Sequence, residues 1–278
     1  MKHMAVKNRV RGFIRKILAI IKIEVQRQMT YRVDFLFFRL ANIVEVATML
    51  VVWTIVFGKS SSMLGYNYNE MITYVTVGWL MRYLTSNYGL EYLVSRNIYD
   101  GTLSGFMIKP IDYIKYLVVF SLGRVSVAYL SGVATSVLGI IIMMKYVLPI
   151  SSTVNLLIII AMLFLGYFIN LFVSILIGML AFWTTFISGP RYSINTLIWF
   201  LKGSELPLNM LPAFLYKATL FSPFAYIFFM PLQLYLGKIS TKQGLRALLV
   251  EIIWLVLLYG LVRIFWRRGL KKFEGVGI

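Results

Sequence analysis

Residues 155–184 read NLLIIIAMLFLGYFINLFVSILIGMLAFWT, thirty positions with no charged side chain. At about 1.5 Å per residue a helix of this length covers about 45 Å, more than the ~30 Å hydrocarbon core of a bilayer. So long an apolar run is a membrane segment, and its neighbours extend the pattern. Residues 35–57, 71–90 and 116–144 precede it as three further segments, and 245–266 follows as the last. Between them lies 190–208, interrupted by Gly203 and Pro207. The sequence therefore predicts an all-α polytopic membrane protein with six transmembrane helices.

Composition agrees. The 278 residues are 60% hydrophobic and only 14% charged, with a mean hydropathy of +0.80. A soluble domain runs nearer half apolar and a quarter charged, so this chain lacks the polar surface to wrap itself in water. The net charge of +18 would point to nucleic acid in a soluble protein. Here it is read instead as basic residues gathered on one membrane side against anionic lipid, with no nucleic-acid partner. The absence of cysteine excludes disulfides and thiol chemistry. His3, near the start of the chain, is not expected to act as a ligand or general base.

Lysine and arginine set the expected orientation. Segments 1–34, 91–115, 185–193 and 263–278 hold 18 of them, whereas the opposite loops hold only Lys59, Lys145, Lys217, Lys238, Lys242 and Arg246. The positive-inside rule places both termini in the cytoplasm, the basic tail 267–278 included. Residues 1–34 alternate Phe13, Ile17, Ile20 and Ile21 with Arg15, Lys16, Lys22 and Arg27. This predicts a basic amphipathic helix in the membrane interface. Lys22 and Glu24 interrupt the apolar run too early for a signal peptide. The stretch 209–240, with Pro212, Pro223 and Phe224, is too broken for a clean span, and an outer re-entrant hairpin is expected there.

No engine is visible. Gly58-Lys59-Ser60 imitates the tail of a phosphate-binding loop, but Trp53 stands where its first glycine belongs. The ten acids are scattered, so paired-carboxylate catalysis is not expected, and neither is any metal site. Intramembrane charge is the sharper signal. Glu45, Arg82 and Arg124 fall near one level of their segments, with Glu45 read as the one deep acid. An unpaired charge there costs at least ~2.5–3.5 kcal/mol, so Glu45 is expected to pair with Arg82 or Arg124. Arg39 is expected to snorkel to the inner surface. Ser131, Thr135 and Gly139, with Gly132 and Ser136, form a strip of small residues suited to close helix packing.

The loop 91–112 reads EYLVSRNIYDGTLSGFMIKPID. Its Asp100-Gly101-Thr102-Leu103 run, followed by Met107-Ile108-Lys109-Pro110-Ile111-Asp112, resembles the cytoplasmic segment of ABC-2 type permeases. So do Gly203-Ser204-Glu205-Leu206-Pro207, Ser222-Pro223-Phe224, Pro231-Leu232 and the tail from Trp254 to Lys272, in the same order. The resemblance is to the subgroup of about 260–280 residues often encoded as paired permeases with one ATPase. It implies a bacterial cell-membrane exporter subunit without enzymatic activity or cofactor of its own. It further implies a separate ATPase that binds ATP and Mg²⁺, and a second permease copy or a homologous permease completing a dimer. The ATPase would dock on a coupling segment around Arg96, Asp100, Gly101, Leu103, Phe106, Lys109, Pro110 and Asp112. Lys109 stands where arginine is commoner, so a bidentate contact does not carry over. The substrate pathway would draw on Tyr74, Trp79, Tyr83, Asn195 and Trp199. Two other classes compete: an ion-coupled secondary transporter, which would want more buried acids and an inverted repeat, and a membrane scaffold.

Overall fold

A computed structural model describes residues 22, 26, 32–58, 62–87, 89–110, 112–150, 152–184 and 186–273, with the side chains of 32–36, 38–39 and 123–131 outside that set. The described structure is helical apart from one two-stranded hairpin, β1 (Ser62–Met63) and β2 (Tyr66–Asn67), with Met63 opposite Tyr66. In chain order the helices are α1 (Arg32–Phe57), α2 (Tyr68–Thr85), α3 (Leu90–Tyr99), α4 (Ser104–Met107), α5 (Tyr113–Ile142) and α6 (Thr153–Met179). After them come α7 (Ser188–Lys202), α8 (Ala213–Leu220), α9 (Phe224–Ile227), α10 (Phe229–Tyr235) and α11 (Thr241–Leu270). Of the predicted interfacial helix only Lys22 and Gln26 are described, both helical and exposed, and Arg15, Lys16 and Arg27 lie outside.

Among the described residues three stretches are long and apolar enough to cross a membrane: 40–57 in α1, 153–182 in α6 with its 3₁₀ extension, and 241–270 in α11. The helix starts are encoded locally. Asn67 and Glu70 close a capping box at α2, as Ser240 and Gln243 do at α11, while Ser152 and Asp112 cap α6 and α5. Each cap gives orphan N–H groups a partner.

α6 is the hub. Half of its apolar stretch is buried, against 6% in α1 and 17% in α11. Its buried positions meet α11, α3, α2, α9 and α10, while Leu157, Ile160 and Phe164 stay exposed on the remaining side. Two core clusters hang on it. One joins Leu90, Val94, Leu103 and Ile114 to Leu171, Ile175 and Val262 near the basic end of α11. The other joins Tyr66, Met71 and Tyr74 to Ile159, Met162, Phe229 and Leu232 at the far end.

The second and fifth segments differ from expectation. Helix α2 stops at Thr85, Ser86 is extended, Gly89 takes left-handed backbone (φ 71°), and α3 begins at Leu90. The second segment, expected to run unbroken through 71–90, is thus a pair of helices with the break inside it. Residues 91–99, within the segment read as a cytoplasmic loop of short helices, are helix. Leu90, Val94 and Ile98 form a buried stripe at four-residue spacing that overrides the flanking charges. This stripe lies on α6 at Gly178, where an added Cβ would come within 2.6 Å of Val94 Cβ. The fifth segment ends at Lys202, six residues short of 208, because Gly203 caps it in left-handed conformation (φ 77°). Beyond it, Pro207, Pro212 and Pro223 each immediately precede a short turn or helix, so the expected hairpin is three short helices following a 3₁₀ turn.

Candidate functional site: a polar seam between helices

Arg82, in the last turn of α2, is the centre of a three-helix junction. Its Nη1 donates to Glu45 Oε1 of α1 at 2.9 Å. Its guanidinium lies 4.8 Å from the Trp79 ring and 5.0 Å from the Trp199 ring of α7. A planar, weakly hydrated cation suits a slot between indoles, where an ammonium would lose the stacking. Of the two partners considered for Glu45, the structure brings Arg82 to it, while the side chains of Arg124 and Arg39 lie outside the described set. Tyr74 and Tyr83 are buried: the Tyr74 hydroxyl donates to the Gly203 carbonyl at 2.6 Å, and Tyr83 packs against Gly132 of α5. Of the small strip, Gly132 therefore meets α2, whereas Thr135, Ser136 and Gly139 line a hollow facing α1.

One turn on from Trp199 lies Lys202, read in the sequence only as part of an interrupted segment and now found buried. Its Nζ donates to Asn170 Oδ1 of α6 at 2.9 Å, and Asn170 Nδ2 donates in turn to the Thr85 carbonyl at 2.7 Å. Lys202 lines a cavity of about 100 Å³ at the break between α2 and α3, together with Asn87, Glu91, Asn170, Asn195 and Trp199. Asn195 Nδ2 reaches Glu91 Oε1 at 3.4 Å. Asn87 Nδ2 donates to the Tyr167 carbonyl at 3.0 Å, but its Oδ1 is buried without a hydrogen-bond partner among the described residues. The sequence signal for this site was a turn-forming Asn, Gly pair inside an apolar segment.

The acid inventory also changes. Glu45 is not the one deep acid, since Glu251 of α11 is fully buried and neither of its carboxylate oxygens has a partner among the described residues. At the far end, Tyr66 donates to Asn209 Oδ1 at 2.9 Å and accepts from Gln233 Nε2 at 2.6 Å. Burial pushes the Tyr66 phenol up to about 12. Lys238 pairs with Glu70 at 2.9 Å and lies 4.3 Å from the Tyr66 ring, tying the short helices back to α2.

At the basic end the expected docking residues divide. Leu103 is fully buried and belongs to the core, so it offers no outward contact. Arg96 and Asp100 form an exposed pair at 2.9 Å, and Gly101 takes left-handed backbone (φ 68°) to turn the chain. Phe106 lies edge-on to Tyr113 and tilted against Tyr116, with Lys109 Nζ 5.3 Å from its ring. Asp112 accepts from Arg263 Nη1 of α11 at 2.6 Å. Desolvation pushes its carboxyl up, but Arg263 and the Lys115 N–H outweigh that and hold it below its ordinary value. Apolar side chains are exposed here too: Ile108 is 87% exposed, beside exposed Met107, Lys109 and Pro110. Met107 also borders a hollow of about 220 Å³ with Phe106, Asp112, Tyr113, Trp266 and Leu270.

Among the described residues no three His, Asp or Glu side chains converge on a possible metal position. No curated protein sequence matches the chain significantly. The family model for ABC-2 family transporter proteins matches residues 43–277, from within α1 to the basic tail. With that match spanning nearly the whole chain and its helices apolar enough to cross a membrane, the chain belongs to the ABC-2 family, the membrane permeases of ABC-type transporters.

Proposed function

We propose that the chain is the permease subunit of an ABC exporter, moving substrate outward with ATP hydrolysed by a separate nucleotide-binding subunit. The observation that carries this is the apolar tip at Met107 and Ile108. An isoleucine thrust out of a loop rather than along a membrane helix is suited to a pocket on a soluble partner. Arg96, Asp100, Lys109 and Pro110 would frame that contact. Asp112 and Arg263 would fasten it to α11, so that a push on the loop reaches the membrane helices. Basic residues at this end support a cytoplasmic position facing anionic lipid. In this reading the bilayer is a bacterial inner membrane crossed six times with both termini inside, and the permease works as a dimer with itself or a homologue.

The test is a mild-detergent pull-down of the tagged chain from its host, with mass spectrometry and an ATPase assay, for wild type, Ile108→Glu and Lys109→Glu. An ATPase should accompany the wild type and be lost or at least about tenfold depleted with Ile108→Glu, whose melting temperature should stay unchanged because the side chain packs on little. Recovery of no nucleotide-binding protein would sink the reading. Glu251, buried and without a partner among the described residues, favours ion-coupled transport as the alternative. In that case no ATPase appears and transport follows an imposed proton gradient.

A further inference from the structure

The cavity at the α2–α3 break holds two buried opposite charges that do not meet. Lys202 and Glu91 are each 9% exposed and line the same hollow, yet no ion pair within 4.0 Å joins them. Lys202 has three N–H donors and uses one on Asn170. Glu91 takes only the long bond from Asn195. Asn87, 8% exposed, adds a carbonyl oxygen with no partner among the described residues. Burying two charges and an amide oxygen this incompletely satisfied is expensive. Arg82 does not resolve it, because Glu45 already matches its charge.

The missing partner must offer donors to Glu91 and Asn87 and acceptors to Lys202. A lone anion would satisfy Lys202 and leave Glu91 worse off, and a lone cation would do the reverse. We propose that this cavity binds a small zwitterion, its ammonium held by Glu91 and Asn87 Oδ1 and its acidic group by Lys202. The volume of about 100 Å³ equals about three waters at about 30 Å³ each, enough for a molecule of roughly six heavy atoms or the charged end of a larger one. The break supplies the room. A continuous α2 would carry its backbone through this space, whereas the extended Ser86 and left-handed Gly89 open it. Broken membrane helices place polar groups at bilayer depth in this way. The inference concerns binding and does not require that the site lie on an export route.

Thermal unfolding of the purified full chain in detergent tests it with isosteres. 3-Aminopropanoate carries both charges, propanoate only the acid and propylammonium only the amine. The zwitterion should raise the melting temperature with an apparent Kd at least about tenfold lower than either single-charge analogue. Phosphoethanolamine, run beside it, separates the sources: preference for it assigns the site to a lipid headgroup, and preference for 3-aminopropanoate assigns it to a free amino acid. Glu91→Gln should abolish the zwitterion's advantage, and Asn87→Ala should weaken it several-fold. No shift with either zwitterion, or equal shifts with all analogues, overturns the proposal and leaves a water-filled cavity. Because the isostere comparison uses the wild type, it decides the matter even where a variant fails to fold. The pull-down for the ATPase partner is independent of either result.

Discussion

Glu251 and Glu45 are both acids on apolar helices, yet the structure treats them oppositely. Glu45 meets a guanidinium that two tryptophans already steady, so its charge is placed rather than tolerated. Glu251 has packing around it but, among the described residues, no donor to accept from. Replacing it with methionine keeps the volume and removes an unsatisfied polar group. Glu251→Met is therefore expected to keep or raise the melting temperature in detergent, and a loss of several degrees would show that the carboxyl has a partner after all. Residue identity alone left these two cases indistinguishable. A charge in an apolar run can be seen in a sequence, but whether a neighbouring helix answers it depends on packing. That is why Glu251 and Lys202 were missed while Glu45 and Arg82 were found.

Among elements, α3 depends on a neighbour for its stability. Ten residues make a marginal helix in isolation, and what holds it is the stripe Leu90, Val94 and Ile98 against α6. Gly178 sets the distance of that contact: a Cβ there would also meet the Glu91 carbonyl at 2.8 Å, a backbone atom that cannot swing away. Gly178→Leu is expected to displace α3 and cost about 1–3 kcal/mol of stability. Limited proteolysis of the 91–110 region should become faster, and unchanged cleavage would mean that α3 is anchored elsewhere. The long apolar helices α1, α6 and α11 were legible from hydropathy because length alone identifies them. The α2–α3 break was not, since an apolar window passes over Ser86, Asn87 and Gly89 without registering that they are turn formers. The far-end short helices were anticipated as broken structure from their prolines, but their number and packing depend on contacts 140 or more residues away, such as Tyr66 with Asn209 and Gln233.

For the whole molecule, one ion pair links Asp112, outside the apolar spans, to Arg263 of the last helix. Asp112 has its folded-state carboxyl held below the ordinary value, so it contributes stability above the unfolded value near 3.8. That contribution is lost as pH falls through its lower folded value. The wild type should therefore lose melting temperature between about pH 5 and the acid limit of the assay, and Asp112→Asn should show a shallower loss over the same range. Equal slopes would place the acid sensitivity elsewhere. The family match over residues 43–277 takes in every run of residues on which the sequence resemblance rests, from Asp100 to Lys272.

The contact between α3 and α6 also sets a timetable. Val94 leaves the ribosome roughly 84 residues before Gly178, a delay on the order of 4–17 s at ~5–20 residues per second. During that interval α3 lacks the α6 surface that buries its apolar stripe. The nascent α3 is therefore expected to wait in the insertion machinery or at the lipid–water boundary until α6 arrives. Faults in biogenesis should begin there, before any question of transport arises.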